Sequence, residues 1–496
     1  MSEPPLKGES SSKEGPFYLR NGAWIIGAIH FAWALVYRIA LGMRMGNDPI
    51  QNSWDFYWQT LPMEALREDL WGSLLVLHAQ PPLLNLLGGI LGKLFYPHHL
   101  EALQGIYMIL GAVMAGCTYL LLRDLSGFKR PCFWLALVFA ANPSLFLFEA
   151  YILYTLPSAF LIMMAVTVLS RPAGEGARRG ASCESAGGET GLIAFIVILN
   201  LLILIRSLYH PVLLILFIPL ACVVAGRDRW KRVLVISLAL SSISIAWSVK
   251  NLVMFDFFGN SSWMGQGFYR MASQSFPEDR IDELIKKKNL NEAVRALSPF
   301  SKPAAYRSYG FNRESHHPLL DRDDKNNINM PDISGAYKKA AIAIILDRPG
   351  LYLRNVHATY VHFCLPSSRY KHVAVNRNKI GRHVQAWLSS GQGQRMFDGV
   401  RRMTGREWGS PYYVLLPLSV VIYMVSGLLG DCSRREKLHR MIQQDPAMVF
   451  SALIIVYTIV AGCCFERGEN ERFRFMIEPL SLCFFAVLIL RVARRR

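Results

Sequence analysis

Four groups of polar residues interrupt an otherwise apolar chain, and their types suit proton transfer and anion binding. The first is an opening loop carrying Asp48 and Asp55, with Glu64 and Asp69 further along. The second is His78-Ala79-Gln80-Pro81-Pro82-Leu83, and the third, Arg206-Ser207-Leu208-Tyr209-His210, breaks two apolar runs. The fourth is Gly468-Glu469-Asn470-Glu471-Arg472-Phe473-Arg474. A carboxylate near neutral water can act as general base on an acceptor hydroxyl. Arginine can hold a phosphate by bidentate contact, and a histidine on the same face can help hold it. The plainer alternative makes each of these a snorkelling or interfacial charge. Trp54, Tyr57 and Trp58 would then form an aromatic belt, and Pro81-Pro82 would start a helix. Four such groups on one expected side favour a site.

The elements that would position these residues are membrane helices. The chain has 496 residues, of which 52% are hydrophobic and only 18% charged. A soluble protein would carry about a quarter charged residues. Apolar windows fall at about 24–43, 81–96, 103–122, 131–148, 151–169, 191–205, 211–225, 233–255, 412–430, 447–465 and 475–490. The formal charge of +18 clusters in short stretches beside these runs, at 123–130, 227–232, 434–440 and 491–496. That is the positive-inside pattern, and it speaks against nucleic acid as a partner. Nine cysteines are scattered without CxxC or CxxxH spacing, so neither a zinc site nor a disulfide framework is supported. Residues 1–22 lack the apolar region of a cleavable signal, which makes the first span the expected anchor.

Placing the basic loops inside puts 44–80, 206–210, 256–411 and 468–474 outside. Eleven spans would separate two termini that both look cytoplasmic. The weakest span is 81–96, with Gly88, Gly89 and Gly92, so the expected count is ten or eleven. The fold class is an all-α polytopic bundle with a large, mostly helical extracytoplasmic loop. Its expected parts are a 1–23 tail, a 24–255 membrane module, the 256–411 loop region and a 412–496 membrane module. Residues 171–190 read as a flexible connector. Amphipathic helices are expected at 277–297 and 333–361, with a loose polar stretch at 313–332. Sparse apolar residues suggest that the region lies on the bundle as a lid. Asn260-Ser261-Ser262 is a glycosylation sequon.

The acidic loop after the first span, the aromatic stretch and His78-Ala79-Gln80-Pro81-Pro82-Leu83 resemble the GT-C superfamily of integral-membrane glycosyltransferases. The style is similar to the protein O-mannosyltransferase and aminoarabinose-transferase branch, which has a His/Lys-Pro-Pro-Leu motif there. Asn142-Pro143-Ser144, Asp347-Arg348-Pro349-Gly350 and Glu471-Arg472-Phe473-Arg474 followed by Pro479 are also similar to that branch. Gln80 stands before the Pro pair, where the branch more often has His or Lys. The resemblance implies sugar transfer from a polyprenyl- or dolichyl-phosphate donor on the non-cytoplasmic face, in a bacterial cytoplasmic or ER membrane. It makes Asp48 or Asp55 the base. It places His78 near the donor phosphate beside Gln80, and the residues themselves offer Arg206, His210, Glu471, Arg472 and Arg474 as further donor or substrate contacts. The expected partners are the lipid-linked donor, membrane lipids and a glycan, lipid or protein acceptor. No cofactor is certain, and a divalent cation is left open: Asp321-Arg322-Asp323-Asp324 has an Asp-x-Asp form but lies in an expected loop. The rival readings are a transporter, for which His30, Arg38, Glu149 and Lys250 are the notable groups in or near spans, and a non-catalytic scaffold.

Overall fold

In the computed structural model the described residues are 17–46, 53–170, 186–391, 412–428 and 434–495; all regular structure among them is helical. Among the described residues each apolar window falls largely on helix. In hydrocarbon each backbone N–H and C=O must be satisfied within its own segment, and a helix does this. Among the described residues six helices are long and apolar enough to cross a membrane: Gly22–Ala40, His99–Ser126, Gly188–Ile205, Trp230–Phe255, Pro446–Phe465 and Asn470–Arg494. Arg130–Ala140 and Pro143–Glu149 make a seventh span if their 50° bend is counted within one segment. Four shorter apolar helices complete the set, Leu83–Phe95, Thr155–Ser170, Val212–Ala225 and Leu415–Gly427. The molecule is an all-α polytopic membrane bundle.

The bend at residue 142 has a local cause. Pro143 has no N–H to continue the preceding helix, and the Asn142 carboxamide oxygen accepts from Ser144 N at 3.0 Å, starting a new one. The Gly22–Ala40 helix lies tightly against His99–Ser126. Ideal Cβ atoms on Gly27 and Gly116 would come within 2.9 and 2.7 Å of backbone oxygens on the opposing helix, so small residues set this spacing. The glycines of 81–96 serve a similar purpose. Gly88 makes room for the Trp54 ring, Gly89 for Leu70 and Gly92 for Met63, so the Leu83–Phe95 helix is a bed for the opening loop.

The segment after residue 255 departs from the sequence expectation. It has its own apolar core, in which Tyr269, Ile333, Tyr337, Ala341 and Ile344 are buried, so its apolar residues are not too sparse to pack. The expected 277–297 helix is two pieces, Glu278–Lys288 and Ala293–Ala296, because Asn289 takes a left-handed turn at φ 50°. The expected 333–361 helix breaks into Met330–Asp347 and Pro349–Phe363, since the residue before a proline avoids helical geometry. The polar stretch around 313–332 is packed rather than loose: Lys325, Asn326, Asn327 and Asn329 are all buried. Asn260 is no glycosylation acceptor here. It is buried, accepts from Ser248 Oγ at 2.8 Å and donates to Ile203 O at 3.2 Å.

Candidate functional site

The start of the last helix organises the charged residues. Asn470 is buried; its side chain accepts from Gly468 N at 3.0 Å and donates to Gly462 O at 3.0 Å, fixing the turn that aims Arg472 inward. Arg472 pairs with Glu469 and donates to Tyr151 Oη at 3.2 Å. Tyr151 and Tyr370 hydroxyls are 3.2 Å apart, and Tyr370 Oη donates to Glu469 Oε1 at 3.4 Å, closing a ring of four side chains. Burial works against the Glu469 charge, but Arg472 and Arg206 outweigh it and hold the carboxyl below its ordinary range. The carboxylate that pairs with Arg472 is therefore Glu469, whereas Glu471 is half-buried one turn position away.

Arg206 enters the same cluster from the end of Ala186–Ile205. Its guanidinium lies between the Tyr154 and Phe473 rings, 4.5 and 4.8 Å from their centroids. It is only 3% exposed, and its Nε and Nη1 have no hydrogen-bond partner. Each orphaned buried donor costs about 1–3 kcal/mol, more for a charged group. Arg472 stands over the same two rings with its own Nε unpartnered, and two guanidiniums with open donors make a receptor for an oxyanion.

The remaining residues expected at the site fall elsewhere. Arg474 is fully buried, donates to Cys364 O at 2.5 Å and lies 3.7 Å from Glu478. Glu478 also accepts from Ser367 and, at 3.4 Å, from Asn142, so this pair ties the helix bend to the 367 loop. His78 is a neutral strut. Burial, with Lys250 nearby, pulls its pKa down to about 3; Nε2 donates to Asn326 O at 3.0 Å and Nδ1 accepts from Ser262 Oγ at 2.9 Å. With both ring nitrogens engaged, His78 has no donor to offer a phosphate. Gln80 is buried and accepts from Ser207 Oγ at 3.3 Å, joining the second and third sequence groups. His210 Nδ1 accepts from Val212 N at 3.3 Å at the start of Val212–Ala225, and burial lowers its pKa.

Of the two candidate bases, Asp48 lies outside the described residues. Asp55 is exposed in the opening loop, and its Oδ1 accepts from Met63 N at 2.7 Å, which caps the Met63–Glu68 helix. The loop is pinned by Asn85, which accepts from Leu61 N at 2.7 Å and donates to Gln59 O at 3.0 Å. The Tyr57 ring meets that of Tyr151 at 6.1 Å, so the opening loop abuts the arginine cluster. Sequence reasoning missed Tyr151, Tyr154 and Tyr370. The first two lie in the non-helical link between Pro143–Glu149 and Thr155–Ser170, where no helical spacing marks them in the sequence. Among the described residues no three His, Cys, Asp or Glu side chains converge as a metal set. Asp323 and Asp324 instead accept backbone N–H groups of Ala304 and Asn326.

No protein-family model and no curated protein matches the sequence. Two solved structures are similar. One is the archaeal oligosaccharyltransferase AglB from Archaeoglobus fulgidus, in complex with an inhibitory peptide and a dolichol-phosphate, at 13% identity and a TM-score of 0.45. The match covers 97% of this chain and 51% of that one, so this chain spans about half its length. The other is ArnT from Cupriavidus metallidurans bound to undecaprenyl phosphate, at 14% identity and a TM-score of 0.34, covering 95% of this chain and 78% of that one. At such identity neither fixes the role of a residue here.

Proposed function

We propose that this protein transfers a sugar from a polyprenyl- or dolichyl-phosphate carrier to an acceptor hydroxyl on the non-cytoplasmic face of its membrane. The observation that carries the reading is the buried Arg206 guanidinium with two unpartnered nitrogens beside Arg472. An anionic leaving group satisfies those donors, and a phosphate does so with matching geometry. The acceptor oxygen attacks the anomeric carbon, and its proton passes to Asp48 or Asp55. The bond from that carbon to the phosphate oxygen breaks, and its electron pair leaves on the lipid phosphate. Charge grows on the phosphate in the transition state, where fixed guanidiniums stabilise it most. A single displacement of this kind inverts the anomeric centre.

The test is sugar transfer in purified membranes from radiolabelled polyprenyl-phosphate sugars, for the wild type and for Asp48→Asn and Asp55→Asn separately. Transfer abolished by one substitution at unchanged protein level fixes both class and base. Transfer from no donor, with both variants still supporting the cell, overturns the reading. One observation favours transport as a second reading: His30 Nε2 and Glu149 Oε1 lie 2.6 Å apart, both buried within the bundle. A proton-coupled carrier would use such a pair. Proton uptake that disappears in Glu149→Gln would support it.

A further inference from the structure

Apart from the arginine cluster, the opening loop walls a cavity of about 180 Å³. It is lined by residues 55–62, by Leu77 and Ala79, and by Arg322, Asp324 and Asn326. It is too small for a drug-sized ligand and suits one small polar unit. Two tryptophans of this loop behave differently. Trp54 is 1% exposed and fills the gap over Gly88, whereas Trp58 is 48% exposed at the cavity wall. Trp58 is nonetheless held in place. Its ring lies 6.0 Å from Phe300 and 6.3 Å from Trp263, and the Lys325 ammonium is 4.3 Å from its centroid. Lys325 is 3% exposed and its Nζ has no hydrogen-bond partner, so this cation rests on the Trp58 ring, with that of Phe300 further off at 5.4 Å. An aromatic ring fixed from three separate segments yet left half open is preorganised for a ligand.

We propose that this cavity is a saccharide subsite that takes one pyranose unit of the acceptor. The apolar C–H face of the sugar lies on Trp58, and its hydroxyls meet Asp55, Gln59 and Arg322. Lys325 is a positioning residue acting through the Trp58 ring. The acceptor role rests on the transfer reading above; the binding chemistry does not.

The test uses the full chain in lipid nanodiscs, with methyl α-D-mannopyranoside and methyl α-D-glucopyranoside as probes and glycerol as control, read by saturation-transfer NMR. The expected result is transfer to the ring protons of at least one glycoside and not to glycerol. Trp58→Ala weakens it about tenfold, the scale of one lost aromatic contact. Lys325→Met weakens it less, and Lys325→Arg restores it, which loss of packing alone would not allow. Arg322→Ala, at an exposed residue, serves if Trp58→Ala fails to fold. No transfer to either glycoside, or transfer undiminished in the folded variants, overturns the proposal. Undecaprenyl phosphate binding, measured on the same samples by native mass spectrometry, separates the two readings. Lipid bound without glycoside sinks the subsite alone; glycoside bound without lipid sinks the phosphate-donor reading and leaves the subsite.

Discussion

Arg206 shows how a single side chain can be read through its cost. A guanidinium buried between Tyr154 and Phe473, with Nε and Nη1 unpartnered, is a poor way to stabilise a fold. If it awaits an anion, Arg206→Met, which keeps the volume, weakens undecaprenyl phosphate binding by roughly tenfold or more, the worth of a charged hydrogen bond. Titrating the lipid into wild type and variant measures this, and equal affinity would return Arg206 to a packing role. His78 gives the opposite case, a titratable group kept neutral. Its folded pKa of about 3 lies below the ordinary 6.5, so the folded state binds fewer protons than the unfolded one. The stability this contributes is present above pH 6.5 and is lost as pH falls through that window. Thermal midpoints between pH 7 and 4 should fall less steeply in His78→Gln than in the wild type, from a lower start. Parallel slopes would mean that His78 does not govern the acid response.

Among the elements, the Leu83–Phe95 helix explains why a short, glycine-rich apolar run belongs in this chain. Its glycines are gaps that Trp54, Leu70 and Met63 fill, and Asn85 grips the loop between Gln59 and Leu61. A Cβ on Gly88 would lie 2.1 Å from the Trp54 ring, so Gly88→Ala forces the loop off its bed. The expected cost is about 1–3 kcal/mol, the range for overpacking, with transfer activity falling alongside the thermal midpoint. Unchanged stability would show that Trp54 can leave without consequence. The Pro143–Glu149 helix depends on its cap in a comparable way. Asn142→Ala removes an N-cap worth about 1 kcal/mol and one hydrogen bond to Glu478, which binds Arg474. Chemical denaturation should register that loss while undecaprenyl phosphate binding at Arg206 persists; loss of both would place Arg474 in the binding machinery after all.

For the whole molecule, sidedness is read from charge. If the basic stretches at 434–440 and 491–496 face the cytoplasm, a cysteine at exposed Glu292 is labelled by an impermeant maleimide on intact cells. A cysteine at Arg440 is labelled only after lysis, and the reverse pattern would invert the proposed face of the site. The helices and the polar groups between them were written locally in the chain, since hydropathy and proline positions act over a few residues. That is why the apolar windows fall largely on helices among the described residues, and why Arg206 and Arg472 stand out as charges in an apolar chain. Which of these groups meet was decided only by tertiary packing. Arg472 reaches Tyr151 across 321 positions, and His78 meets Asn326 across 248. The three-residue spacing of Glu469 and Arg472 does mark that pair over the adjacent Glu471, but nothing local separates Arg474 from Arg472. Nor does composition reveal that His78 is neutral, because a pKa depends on burial and on neighbours brought from distant segments. Local sequence sets the elements through backbone and solvent preferences, while a site is a set of long-range contacts that exist only once those elements pack.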